Sequence, residues 1–248
     1  MCRLFLSINN ENILPKLFSF LKQSDHDHKF TPGCNNYRDH IQHKDGFGFA
    51  WLVDNTYKIY KQPILYNQDK SLNDKLKEIK SSIVLGHIRN KSISDIKYDN
   101  THPFIYENNV FIHNGFIKNF LKNKKLLMNY IDPKYKMLGE TDSEFLFYLY
   151  LSIYNKIKDY KLSMKIMLNL FRYLKIELSA NIIFANNEVV VITRYLVNDN
   201  KIEYPASLYY NNVSSNSLLI TSEPITESWT IIPSNSIILF DIKNSIII

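Results

Sequence analysis

Glycine, cysteine and tryptophan are scarce in this chain, at six, two and two among 248 residues. The low glycine count goes with a preference for Lys, Asn and Ile over Arg, Gly and Ala, which reads as coding bias and carries no mechanism. Two cysteines, Cys2 and Cys34, are too few for a disulfide framework, and a free thiol at Cys2 suits a reducing compartment. No run of 18 apolar residues is present, which argues against a transmembrane helix. The opening "MCRLFLSINNENILPK" lacks a basic stretch followed by a cleavable apolar one, so the expectation is a cytoplasmic protein. Neither a Pro/Gly/Ser linker nor an internal repeat divides the chain, and a single domain over residues 1–248 is expected. Cys-x-x-Cys and helical His-x-x-x-His pairs are also missing. His26, His28, Cys34, His40 and His43 crowd into eighteen residues, but their spacing matches no metal-ligand pattern. A polar surface loop is expected there, with no metal and no other cofactor.

What is present reads as an ordinary globular chain, with 45% hydrophobic and 22% charged residues and length enough for one large core. The net charge of +6 comes from scattered lysines, dense only in "KNFLKNKK" at 118–125. That run fits a solvated helix face, so no nucleic-acid partner is expected. "CRLFLSI" predicts a buried strand and "ILPKLFSFLKQ" a short amphipathic helix. "FGFAWLV", the turn Asp54-Asn55 and "YKIYKQ" predict a hairpin. A helix over "SLNDKLKEIK" and strands over "SIVLGHI" and "NVFIHNG" follow. A long helical region from about Thr141 to Leu174 breaks near Asp159, and the last quarter is strand-like throughout. Strands at both ends with helices between imply sheets completed by late strands.

Several short motifs could carry chemistry. Once Met1 is removed, Cys2 would be a terminal nucleophile whose α-amine, with a reference pKa of about 7.7–8.0, serves as its own base. "HNG" at 113–115 holds the strongest short hairpin signal, Asn-Gly. The alternative is an oxyanion hole made by the Asn114 amide and the Gly115 N–H. "TDSE" at 141–144 fits a capping box and leaves Asp142 in the first helical turn, able to meet an ammonium. Arg89, after "LGHI", either makes a surface ion pair or binds a carboxylate through two hydrogen bonds.

In chain order, Cys2, "DGFGFAW" (45–51), "GHIRNKS" (86–92), "NTHPF" (100–104), "FIHNGFI" (111–117) and "GETDSE" (139–144) resemble the class II glutamine amidotransferases. These belong to the N-terminal nucleophile hydrolases. The resemblance extends through "NIIFANNEVVVITRY" and "SLLITSEPITESWTIIPSNSIILFD", as in members lacking a fused synthase domain. It implies an α+β fold, the four-layer αββα sandwich, with Cys2 opening a central strand. It also implies Cys2 as nucleophile, Asn114 and Gly115 as oxyanion hole, Arg89 on the substrate α-carboxylate, Asp142 on its α-ammonium, and Ser92 as a hydroxyl contact.

The substrate so implied is glutamine or a γ-glutamyl compound, and a separate synthase or acceptor-processing subunit is a possible partner. Asn90, Lys91, Ser92 and Phe47 depart from the commoner family residues, which bears on substrate identity more than on the chemistry. Three readings stand at this stage: a glutamine-dependent amidotransferase or glutaminase, a γ-glutamyl amide hydrolase without transfer, and a catalytically silent binding protein on the same fold.

Overall fold

A computed structural model describes residues 2–25, 43–91, 94–198, 205–214 and 216–247. The elements run in the order β1 (Arg3–Ile8), α1 (Ile13–Leu21), β2 (Phe47–Val53), β3 (Thr56–Gln62), α2 (Leu72–Glu78) and β4 (Ile83–Ile88). Then come β5 (Phe104–Tyr106), β6 (Asn109–Ile117), α3 (Phe120–Leu127), α4 (Asp142–Ile157) and α5 (Tyr160–Tyr173). The chain closes with β7 (Leu178–Ala185), β8 (Val189–Val197), β9 (Tyr209–Ser214), β10 (Ser217–Thr221), β11 (Thr230–Ile231), β12 (Ser236–Asp241) and β13 (Ile246–Ile247).

Among the described residues these strands form two antiparallel sheets. The first has the order β11-β9-β10-β1-β4-β2-β3, the second β13-β12-β8-β7-β6-β5. Strand β1 is buried along its whole length, which is why "RLFLSI" reads as an apolar run and not as an alternation. Its Leu4, Leu6 and Ile8 meet Val110, Ile112, Ile183 and Ile192 of the second sheet. Its Phe5 faces outward, with Phe47, Phe49 and Val84, onto Leu17 and Phe20 of α1 and Leu72 and Leu76 of α2. On the far side, Phe111, Ala180, Ile182 and Phe184 pack against Phe145, Leu149, Met164 and Phe171 of α4 and α5. The result is the expected α+β sandwich of four layers, αββα. Late strand β10 pairs with β1, in register Phe5↔Thr221, so the last quarter completes the first sheet.

Most local signals correspond to what forms. Asp54 and Asn55 both take left-handed backbone (φ 48° and 60°), matching the twist of the β2–β3 hairpin. Asp159 caps α5 by accepting from Leu162 N at 2.8 Å, after Lys158 ends α4 in the left-handed region. The "KNFLKNKK" segment lies on α3, where Lys122 and Lys125 are exposed.

Three features differ from expectation. Asn114-Gly115 is not a turn: it lies within β6, in register with Asn181 and Ala180. A Cβ on Gly115 would sit 1.9 Å from Ser179 O, so glycine serves a close strand approach and not a left-handed turn. Only half of the capping box forms. Glu144 N donates to Thr141 Oγ1 (3.1 Å), but the Glu144 carboxylate accepts from Leu138 N (2.7 Å) and Gly139 N (2.8 Å). Finally, His43, at the end of the segment expected as a surface loop, is buried. His26, His28, Cys34 and His40 lie outside the described residues.

Candidate active site

The site is assembled at one end of the sandwich by strand register. Arg3 pairs with Ile88 and Ile88 with Phe47, so the start of β1, the end of β4 and the start of β2 lie side by side. Cys2, Arg89-Asn90 and Asp45-Gly46 therefore adjoin. Beyond the regular ladder, Arg89 N donates to Gly46 O (2.8 Å) and Lys91 N to the Asp45 carboxylate (2.9 Å). Gly46 takes φ +133°, which no side chain tolerates well, and this lets the Asp45 end curl onto the 89–91 segment.

Cys2 is half-buried. Its Sγ accepts from Asn90 N at 3.4 Å and lies 3.6 Å from Asn90 O. Burial pushes the thiol pKa up. The amino-terminal charge, the Asn90 backbone and the Arg89 guanidinium pull it down, while Asp142 pushes it up. The thiol thus sits within electrostatic reach of both expected charge anchors.

Arg89 is buried, and the surface ion pair considered for it does not form. Its guanidinium donates to Ser94 Oγ (2.8 Å), Ser94 O (3.3 Å) and Asp45 O (3.4 Å), all neutral acceptors. Desolvation lowers its pKa, opposed by Cys2, Asp45, Asp95 and Glu140. A buried guanidinium hydrogen-bonded, among the described residues, to neutral groups alone is a ready partner for a carboxylate.

Across the inter-sheet space, Asp142 opens α4 and its Oδ2 accepts from Ile117 N at the end of β6 (2.8 Å). Asn114 and Gly115 lie three and two residues upstream of Ile117 on that strand. The Asn114 side chain is fully buried on the inner face, and among the described residues neither its Oδ1 nor its Nδ2 has a hydrogen-bond partner. Such an orphaned amide is unusual, because buried polar groups are nearly always satisfied. Ser92 lies outside the described residues.

Two histidines that carried no assigned role hold β6 from both faces. His87, in register with Leu4 of β1, donates from Nε2 to His113 O at 3.2 Å and so ties the two sheets one residue from Asn114. On the helix side, His113 donates from Nε2 to Ser179 O (3.0 Å) and accepts at Nδ1 from the Ser143 hydroxyl (2.9 Å). That bond links β6 to the residue after Asp142. His102 stacks on His87 with ring centroids 3.9 Å apart, and both its ring nitrogens lack partners. Burial depresses all three histidines: His87 to about 3, His102 well below its ordinary value and His113 in the same direction. Lys61 clamps the strap bearing His102 by donating to Thr101 O (2.7 Å) and Pro103 O (3.2 Å). Only the motifs "GHIRNKS" and "NTHPF" could have flagged His87 and His102, since their stacking is a tertiary event.

Among the described residues no three His, Cys, Asp or Glu side chains are placed to hold a metal ion, and no helix is long and apolar enough to cross a membrane. At this end, then, a thiol, a guanidinium, a carboxylate and an unpaired amide converge. Together they can engage a zwitterion at one end and a carbonyl at the other.

Comparison with known proteins bears on what this arrangement is. DUG3 of Saccharomyces cerevisiae, named a probable glutamine amidotransferase, is 28% identical over 246 residues, covering 78% of this chain and 68% of that protein. A class-II glutamine aminotransferase domain protein from Silicibacter pomeroyi superposes with a TM-score of 0.68 at 20% identity, over 97% of this chain and 95% of that one. The glutamine phosphoribosylpyrophosphate amidotransferase of B. subtilis superposes with a TM-score of 0.67 at 15% identity, over 97% of this chain but only 47% of its own. These structural likenesses establish the fold, that of the N-terminal nucleophile hydrolases. Residues 14–202, well over half of the chain, match the family profile described as glutamine amidotransferases class-II, and the chain belongs to that family.

Proposed function

We propose that this protein is a cysteine-dependent glutaminase-type amidotransferase, with residues 1–248 working as one catalytic domain in the cytoplasm. Its substrate is glutamine or a γ-glutamyl amide. Removal of Met1 frees the α-amine of Cys2, which takes the thiol proton. The thiolate attacks the side-chain carbonyl, forming an S–C bond and a tetrahedral oxyanion held by Asn114 Nδ2 and Gly115 N–H. Collapse breaks the C–N bond, and the proton held by the α-amine leaves with ammonia or an amine. Water, deprotonated by the same amine, then adds to the γ-glutamyl thioester and expels the thiolate, releasing glutamate. Arg89 grips the α-carboxylate, Asp142 the α-ammonium, and Ser92 contributes a hydroxyl. Gripping the charged end orients the carbonyl toward sulfur, turning a bimolecular encounter into a positioned one.

The observation that carries this reading is the buried, unpartnered Asn114 amide on the inner face beside the Cys2 end of the sheets. A buried polar group left unsatisfied is an acceptor or donor in waiting. The test is glutamate release from glutamine by C-terminally tagged, methionine-processed protein. Absence of turnover with both glutamine and γ-glutamyl amides, despite an intact-mass spectrum showing Met1 removed, would leave the silent binding protein as the reading. Turnover of γ-glutamyl amides with retention of glutamine would identify the hydrolase instead. A partner that consumes the ammonia would belong to the transferase alone.

A further inference from the structure

A nucleophile at a chain end has a covalent neighbour on one side only, so whatever holds it must act through the next two or three residues. Residue 3 of this chain is an arginine with no exposed surface, beside Glu223 at 1% exposure. Arg3 Nη2 lies 3.7 Å from Glu223 Oε1, and Arg3 Nε donates to Gln23 O at 3.3 Å. Gln23, itself buried, donates from Nε2 to Glu223 O (2.7 Å) and Thr221 Oγ1 (3.0 Å). At the next residue, Leu4 N donates to Ser222 Oγ (2.8 Å) and Leu4 O accepts from Ser222 N (3.0 Å). Residues 3–4, 23 and 221–223, remote in sequence, are thereby locked together just after Cys2. A buried ion pair is a poor device for stability, because desolvating two charges offsets most of their attraction. It does impose one geometry, because Arg3 is held at once by the Glu223 carboxylate and the Gln23 carbonyl.

We infer that Arg3 and Glu223, with Gln23 and Ser222, are positioning residues that set where the Cys2 thiol and amine sit. They do so from the helix-facing side of the first sheet, opposite the substrate side. The inference rests on Cys2 being the terminal nucleophile. Through this anchor the thiol is kept against Asn90 N–H. Loosening it lets Cys2 swing away while Arg89 and Asp142, on other elements, still bind substrate. The loss should therefore fall on kcat and not on KM.

The test compares processed, C-terminally tagged parent with Arg3→Met, Arg3→Met/Glu223→Met and Ser222→Ala. The double variant removes both charges of the pair together and puts apolar side chains in their place. Two readouts are taken: glutamate release from glutamine, and the pH profile of iodoacetamide alkylation at Cys2, followed by peptide mass. The expected result for the double variant is a parent-like circular dichroism spectrum and kcat lower by about tenfold or more. KM should stay within about threefold, and the alkylation profile should move to lower pH as the thiol leaves its buried place against Asn90 N–H, because burial is the larger influence on it. Parent kcat and an unshifted alkylation profile would overturn the inference. If neither ion-pair variant folds, Ser222→Ala carries the same two readouts, and parent values there would overturn it. A parent that alkylates at Cys2 but releases no glutamate would sink the functional reading, and the alkylation profiles would still decide the anchor.

Discussion

The two ends of the sandwich are made from the same strands yet treat their polar side chains in opposite ways. At the end formed by the turns 54–55, 107–108 and 186–187, a connected set of polar groups is satisfied within the protein, although Asn10 Oδ1 at that end is buried without a partner among the described residues. Tyr57 donates to Asn186 O (3.1 Å), Asn186 Nδ2 to Tyr160 Oη (2.8 Å), and Tyr160 to Glu188 (2.7 Å). Asn186 Oδ1 also accepts from Glu188 N and Val189 N, both at 2.9 Å. At the Cys2 end, among the described residues, Asn114 is orphaned, His102 has two bare ring nitrogens and His87 one. The first end is closed mostly by its own chain, whereas the second retains more unmet hydrogen-bonding capacity. Departures from local satisfaction concentrate at functional sites because something other than folding retains them.

The sharpest way to break this contrast is to alter the nucleophile. Cys2→Ala, or an N-terminal extension that turns the α-amine into an amide, should lower glutamate release by about a thousandfold or more while circular dichroism stays unchanged. Full activity in the extended form would make Cys2 an ordinary second residue.

Next in size is a matched pair of asparagines. Asn114→Ala should lower kcat by about 10²–10³-fold with no loss of stability, because the amide it removes has no partner to lose. Asn186→Ala should do the reverse, costing about 1–3 kcal/mol in denaturant unfolding with kcat unchanged, since it removes three hydrogen bonds. If both variants behaved alike, the two ends would not differ in kind.

Arg89→Lys keeps the charge but loses the planar fork, and Asp142→Asn keeps the shape but loses the charge. Each should raise KM for glutamine by about 10-fold or more, measured by initial rates. Parent KM in both would remove them as anchors.

A last comparison uses acid. Burial depresses His87, His102 and His113, so between the unfolded value of about 6.5 and the folded values the unfolded chain binds more protons. Stability is therefore complete above about pH 6.5 and falls as pH drops toward 3, by up to about 1.4 kcal/mol per pH unit for each histidine. Urea unfolding at pH 7, 6 and 5 checks this, and His102→Leu should flatten the slope by about one proton. An unchanged slope would place the acid sensitivity elsewhere.

Much of the fold was legible because local and global preferences agree. The β2–β3 hairpin follows from Asp54-Asn55 between apolar runs, and the break at Asp159 from its capping of α5. Where a short motif served two purposes, local reading could not choose. Asn-Gly is the best hairpin signal in the chain, yet Asn114-Gly115 lies inside β6 because Ser179 O occupies the space a side chain would need. Likewise Thr141-x-x-Glu144 reads as a capping box. Glu144 instead serves Leu138 and Gly139, a loop whose position depends on the rest of the molecule.

The sequence by itself determined the elements, the burial of β1 on both faces, and the chemical inventory of thiol, guanidinium, carboxylate and amide. Those follow from periodicity and residue type, which act over a few residues. Only the tertiary structure decided that Asn114 has no partner, that Arg89 meets neutral groups instead of a surface acid, and that His102 lies on His87. It also decided that Arg3 is tied to Glu223, some 220 residues along the chain. Each of these depends on which strands become neighbours and in what register. Register is set by the summed burial of both sheet faces, and no window of local sequence contains that sum.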